Sequence, residues 1–159
     1  MLRVSDPAPD FQGLDQFGRN ISMGRLLANG PLVLFFYPKD FTFLCTRQVC
    51  AFRDEHEELT YAGAMICGIS VDDAARHGEF SDRHNVPFPL LSDPTGLIVD
   101  AYGARAPVGK RAKRVTYVID QRARVASVHH HEFSVQRHLE GMRTTLHHLL
   151  AEQELYTPQ

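Results

Sequence analysis

The chain has 159 residues, 43% hydrophobic and 23% charged, with a formal net charge of −2. That length suits one domain that buries a full core without metal or disulfide staples, and the composition excludes a disordered chain. The charge balance gives no general pull toward nucleic acid or acidic lipid, and no segment reaches the roughly 18 apolar residues that span a bilayer.

Met1 to Pro7 shows no basic start followed by an apolar run, so no secretory signal is expected and a cytoplasmic location is the default. Residues 9–20 carry turn signals (Gly13, Gly18, Asn20) between short apolar pieces, which predicts a small hairpin. Leu32 to Tyr37, between Pro31 and Pro38, reads as a strand buried on both faces. A helix is predicted to begin near Thr42, with Cys45, Val49, Phe52, His56 and Leu59 on one face. Ala64 to Val71 is a second buried strand, residues 73–84 a polar-faced helix, and Leu90 to Gly96 a strand end plus turn. Val115–Asp120 and Ala123–His129 read as two strands joined by a tight turn. Leu139, Met142, Leu146, Leu149 and Leu150 form the apolar stripe of a last helix. Strands alternating with helices, then a strand pair and a closing helix, predict an α/β sandwich.

The chemistry centres on Tyr37-Pro38-Lys39-Asp40-Phe41-Thr42-Phe43-Leu44-Cys45-Thr46-Arg47-Gln48-Val49-Cys50. Cys45 falls in the first turn of a helix that follows a strand, where free N–H groups and the positive end of the helix dipole favour an anion. A free thiol with a pKa of about 8.5 is only roughly 3% ionised at pH 7, and making one mostly thiolate takes about 3.4 kcal/mol. A helix N-terminus supplies about 0.3–1 kcal/mol, so a reactive cysteine here needs a cation from elsewhere in the chain.

Pro38-x-x-x-Thr42-x-x-Cys45 resembles the active-site motif of the peroxiredoxin family. Cys45-x4-Cys50 followed by Phe52-Arg53-Asp54 resembles its PrxQ, or bacterioferritin comigratory protein (BCP), subgroup. Leu91-Ser92-Asp93-Pro94, Ala101-Tyr102-Gly103 and Arg114 to Asp120 look like further family segments, so the resemblance spans nearly the whole chain. It implies a thioredoxin-like fold, a central mixed sheet flanked by helices, with an N-terminal hairpin extension. It also implies a thiol-specific peroxidase acting on hydrogen peroxide and organic hydroperoxides without metal, haem or flavin. Cys45 would be the peroxidatic nucleophile, Thr42 would hydrogen-bond the thiolate and the peroxide, Arg114 would supply the cation, and Pro38 would shield the pocket from water. Cys50 would condense with the Cys45 sulfenic acid to an intramolecular disulfide. Thioredoxin or a related dithiol would then reduce the bond. A monomer is implied, with a weak homodimer as the alternative; neither nucleic acid nor membrane is an expected partner.

Residues five apart on an ideal helix have Cα atoms roughly 8–9 Å apart, whereas a disulfide needs about 4.4–6.8 Å, so a 45–50 bond requires the helix start to unwind. Phe43-Leu44 stand where PrxQ-like chains usually carry Pro-Gly, which predicts a more apolar pocket and a preference for larger organic hydroperoxides. Gln48 stands where a Glu often orients the arginine, which puts the positioning of Arg114 in question.

Other features have plainer readings. Cys67 is expected as a small buried hydrophobe, although it is the other cysteine that could resolve Cys45. His129-His130-His131, His147 and His148 are expected to be solvated rather than ligating, because strand alternation splits neighbours between faces. Arg105, Lys110, Arg111 and Lys113 read as a solvated basic loop around Arg114. Three rivals differ by experiment. A peroxide-sensing switch oxidises once where an enzyme cycles, a thiol–disulfide oxidoreductase carries Cys-x-x-Cys, and a holdase is indifferent to Cys45→Ser.

Overall fold

A computed structural model describes the backbone of residues 1–156 and the side chains of residues 1–152. A five-stranded sheet has the order β5-β4-β3-β6-β7, formed by β3 (Leu32–Phe36), β4 (Met65–Ser70), β5 (Leu90–Ser92), β6 (Val115–Ile119) and β7 (Val125–His130). β3, β4 and β5 run parallel, and β6 and β7 are antiparallel additions. A separate antiparallel hairpin is made by β1 (Gln12–Leu14) and β2 (Asn20–Ser22). The mixed sheet, its flanking helices and the hairpin match the fold class that the resemblance implied.

Strand alternation sends the two faces of β3 into two cores. Leu32, Leu34 and Phe36 join Cys67, Ile69 and Tyr117 under Met23, Leu26 and Leu27 of α1 (Met23–Leu27) and Val99 of α4 (Leu97–Ala101). Val33, Phe35 and Tyr37 join Val118 on the other face. There they meet Cys45, Val49 and Phe52 of α2 (Phe43–Tyr61), Phe80 of α3 (Ala74–His84) and Leu139, Met142 and Leu146 of α5 (Val135–Tyr156). All five residues of β3 are fully buried, as its continuous apolar run predicts.

The hairpin is displaced from the predicted 9–20 because Asp15 Oδ1 accepts the amides of Phe17 and Arg19, which makes 15–19 the turn and puts the second strand after it. The helices α1 and α4 were not anticipated. Both have five residues, too short for a helical period to register, although Ser22 caps α1 by accepting the amide of Arg25. The N-terminal segment also guards both sheet edges. Ser5 and Ala8 donate to Val125 and Ala123 beside β7, and the Gln16 side chain accepts from Leu90 N–H and donates to Phe88 C=O along β5.

Candidate active site

The parallel strand β3 ends at Phe36, and the chain turns through residues 37–42 into α2. Thr42 is the N-cap, so Phe43, Leu44 and Cys45 form the first turn; the first helical bond runs from Thr46 N–H to Thr42 C=O. The antiparallel register pairs Phe36 with Val115. Arg114, one residue before β6, therefore lies at the same end of the sheet as the start of α2. This register brings together two residues 69 positions apart: Arg114 Nη1 donates to Cys45 Sγ at 3.1 Å and to Gln48 Oε1 at 3.2 Å.

Cys45 and Gln48 are fully buried and Arg114 is 8% exposed, so little water screens the contact. Gln48 lies three residues after Cys45 on the same helix face, and its amide oxygen braces the guanidinium. The question raised by its lost charge thus has a geometric answer: a neutral oxygen orients Arg114 without cancelling its charge. Gln48 Nε2 is a buried donor with no hydrogen-bond partner.

Thr42 departs from expectation. Its hydroxyl donates to Lys39 C=O at 2.9 Å, so its proton points back into the loop rather than at Cys45. Its oxygen lone pairs remain able to accept. Pro38 is half-buried and borders an open groove of about 490 Å³ that also touches Val108, Arg111, Lys113 and Glu132. A groove of about 540 Å³ between α2 and α5 lies away from the cysteines. Phe43 is 76% exposed, with the Arg47 guanidinium 5.8 Å from its ring centre, so it does not make the pocket more apolar as predicted. Helix geometry points the first residue of α2 outward.

Beneath the loop lies a buried polar network that sequence reasoning missed. Tyr37 O–H donates to Asp40 Oδ1 at 2.6 Å, and His77 Nδ1 meets Asp40 Oδ2 at 2.5 Å. His77 Nε2 donates to Leu91 C=O at 3.1 Å. Asp72 Oδ2 accepts from Asp40 N–H at 2.8 Å and from Ser70 O–H at 2.6 Å. Ligand atoms of Asp40, Asp72 and His77 lie within 4.8 Å of one another, close enough to hold an ion, yet each already has protein partners. The network clamps the loop to β4 and α3. Burial, then the neighbouring Asp40 carboxylate, pushes the Tyr37 phenol well up, so it stays a donor. The available signal was the spacing of His77, Phe80 and His84, which puts His77 on the apolar face of α3. Phe41 sits at φ 64°, a strained value for a bulky residue, between Phe80 and the Arg76 guanidinium.

Cys50 is half-buried one turn and a half further along α2, its Sγ 3.8 Å from His84 Nδ1. Burial pushes the Cys50 thiol up, the Arg53 cation opposes this, and Asp54 adds to it. All three cysteines are free. Cys67 is fully buried in β4, and burial pushes its thiol far up, which makes it the inert thiol expected. Among the histidines of 129–131, His129 meets Ser127 Oγ and His130 meets Glu132, each at 2.8 Å. His147 and His148 are exposed on α5. In the basic loop Lys110 and Arg111 are exposed, and Arg105 pairs with Asp100.

Residues 4–128 match the AhpC/TSA family. The chloroplastic peroxiredoxin Q of Oryza sativa subsp. japonica is 41% identical over 133 residues, 83% of this chain and 61% of that protein. The chloroplastic peroxiredoxin Q of Arabidopsis thaliana is 38% identical over 134 residues, 84% of this chain and 62% of that protein. The chain thus spans less than two thirds of the length of these relatives. The crystal structure of peroxidoxin BcpB from Mycobacterium tuberculosis superposes with a TM-score of 0.87 at 36% identity, covering 94% of this chain and 99% of the other. Mycobacterium tuberculosis AhpC superposes with a TM-score of 0.80 at 28% identity, covering 96% of each chain.

Proposed function

This chain belongs to the AhpC/TSA family, the peroxiredoxins, and from that premise we propose that it is a thiol peroxidase in which Cys45 reduces hydrogen peroxide and organic hydroperoxides. The observation that carries the reading is the buried contact between Arg114 Nη1 and Cys45 Sγ at the start of α2. A guanidinium stays charged and presents several donors, so it favours the thiolate and then the oxygen charge that grows as the O–O bond breaks. The Cys45 thiolate attacks one peroxide oxygen and becomes a sulfenic acid; the other oxygen leaves as alkoxide or hydroxide and is protonated to alcohol or water. Thr42 Oγ1 accepts a hydrogen bond from the incoming peroxide, and Pro38 screens the sulfur from bulk water.

Cys50 then displaces the sulfenic oxygen to give a 45–50 disulfide. Both cysteines lie inside α2, so the start of that helix opens in each cycle. Three features make opening inexpensive: Thr42 gives no side-chain cap, the first turn carries no acidic residue, and Phe41 is strained. Similar backbones over 42–50 in the reduced and oxidised protein would contradict this step. A dithiol protein of the thioredoxin type returns the disulfide to thiols, and a reducing compartment such as the cytoplasm suits a cycle that starts from free thiols. The protein acts as a monomer, which size-exclusion chromatography with light scattering tests.

The functional test is continuous peroxide consumption coupled to thioredoxin and its reductase. Many turnovers per chain are expected, abolished by Cys45→Ser. Oxidation that stops after one equivalent would instead identify a sensor.

A further inference from the structure

We infer that His84, at the C-terminal end of α3, is the general base that deprotonates Cys50 for its attack on the Cys45 sulfenic acid. The inference rests on the reading of Cys50 as the resolving residue.

Three observations carry it. The first is reach: His84 Nδ1 lies 3.8 Å from Cys50 Sγ, within hydrogen-bonding distance for sulfur. The second is orientation. The His84 ring packs on Phe80 with centroids 4.7 Å apart, and its carbonyl accepts from Arg53 Nη1 at 2.7 Å. Arg53 lies three residues beyond Cys50, past the stretch of α2 that must open to bring the two sulfurs together. The base therefore stays anchored to the intact part of the helix while the cysteine is being prepared. The third is need: a half-buried thiol whose ionisation is opposed by burial is a poor nucleophile unless something takes its proton.

The charged groups around the pair favour a neutral imidazole. Burial, then Arg83 on α3, then Arg53 on α2 hold the His84 pKa below its ordinary value, while Asp54 on α2 bears on Cys50. A lowered pKa favours the neutral imidazole, and a ring with Nδ1 unprotonated accepts from the Cys50 thiol. It is also half-exposed at the end of its helix, so a proton that it accepts can pass to solvent.

The step balances. The Cys50 S–H proton moves to His84 Nδ1, and the thiolate electron pair forms the S–S bond to Cys45 as the Cys45 S–O bond breaks. The oxygen leaves as hydroxide and takes a proton from the imidazolium or from solvent. The sum is one sulfenic acid plus one thiol giving one disulfide plus one water.

The test is single-turnover oxidation with acid quench and mass analysis of His84→Asn and His84→Ala, read separately for loss of the Cys45 thiol and for gain of the disulfide. Cys45 oxidation should stay within about twofold of the parent. Disulfide formation at pH 7 should fall at least about tenfold, since general base catalysis is typically worth about 10²–10⁴-fold and a fraction of the thiol ionises unaided. Added imidazole should restore the rate to His84→Ala, and the variants' rates should climb with pH where the parent's is flat. Sulfinic acid should accumulate under excess peroxide. Disulfide formation within about twofold of the parent in both variants overturns the assignment, as does a loss with neither imidazole rescue nor an altered pH profile. If the parent itself forms no 45–50 bond, the resolving role of Cys50 is what has failed.

Discussion

Replacing Arg114 by Met removes the one cation that touches Cys45 among the described residues while keeping much of the side-chain bulk. With N and S 3.1 Å apart and both side chains buried, a unit charge pair at an effective dielectric of about 20 interacts by about 5 kcal/mol. Only part of this reaches the rate, because the negative charge moves from sulfur to the departing oxygen. Loss of one oriented donor at such a charge typically costs about 2.7–4 kcal/mol, or about 10²–10³-fold. The second-order rate with hydrogen peroxide at pH 7, followed by stopped flow, should fall by that factor. The far-ultraviolet spectrum should be unchanged. Arg114→Lys should fall between parent and Met, since an ammonium keeps the charge but not the rigid planar group whose Nη1 meets both Sγ and Gln48 Oε1. A loss below about threefold in Arg114→Met, with the fold intact, would refute the electrostatic reasoning.

Three further outcomes are expected. Gln48→Leu removes the brace on Arg114, a hydrogen bond to a charged group worth about 1.5–3 kcal/mol, so the peroxide rate should drop about tenfold or more. Urea unfolding should move by only about 1 kcal/mol, because the variant also deletes the unpartnered Nε2 donor. His77→Leu takes the imidazole from the buried Asp40 carboxylate, which keeps Tyr37 O–H, and should cost about 1–3 kcal/mol in the same urea assay. His138, buried between Thr116 Oγ1 and His131 C=O, has its pKa lowered to about 4 from 6.5, chiefly by burial. Between those values the unfolded chain binds a proton that the folded one refuses, so its contribution to stability is intact above pH 6.5 and is lost as pH falls toward 4. The full effect is about 3 kcal/mol, and the gap between parent and His138→Gln in urea unfolding should shift by that order between pH 7 and pH 4.

The sequence made the architecture legible where one signal dominated. The apolar run 32–36 could only be an inner strand, and the cysteine helix and the leucine stripe of α5 showed their periods openly. The five-residue helices were invisible because a period needs more than one turn to appear, and the hairpin shifted because the Asp15 side chain acts together with left-handed Gly18 to set its turn. Within the site, Cys45 and the need for a distant cation followed from elementary electrostatics, but that the cation lies within 3.1 Å depends on the β3–β6 register, a tertiary fact. The Tyr37–Asp40–His77 network and the Cys50–His84 contact were not legible for the same reason. Each ties α3 to residues more than 30 positions away, and although the spacing of α3 puts His77 on its apolar face, no local pattern names the partner that meets it. Thr42 shows the opposite failure: the motif named the residue, but the local chain had already claimed its proton.

In the proposed cycle Cys45 takes the oxygen and Cys50 displaces it. One equivalent of hydrogen peroxide, alkylation of the remaining thiols in denaturant and peptide mass mapping test that order directly. A single product is expected, in which residues 45 and 50 are linked and Cys67 is alkylated in full. A persistent oxidised Cys45 beside an alkylated Cys50, or a bond involving Cys67, would contradict it.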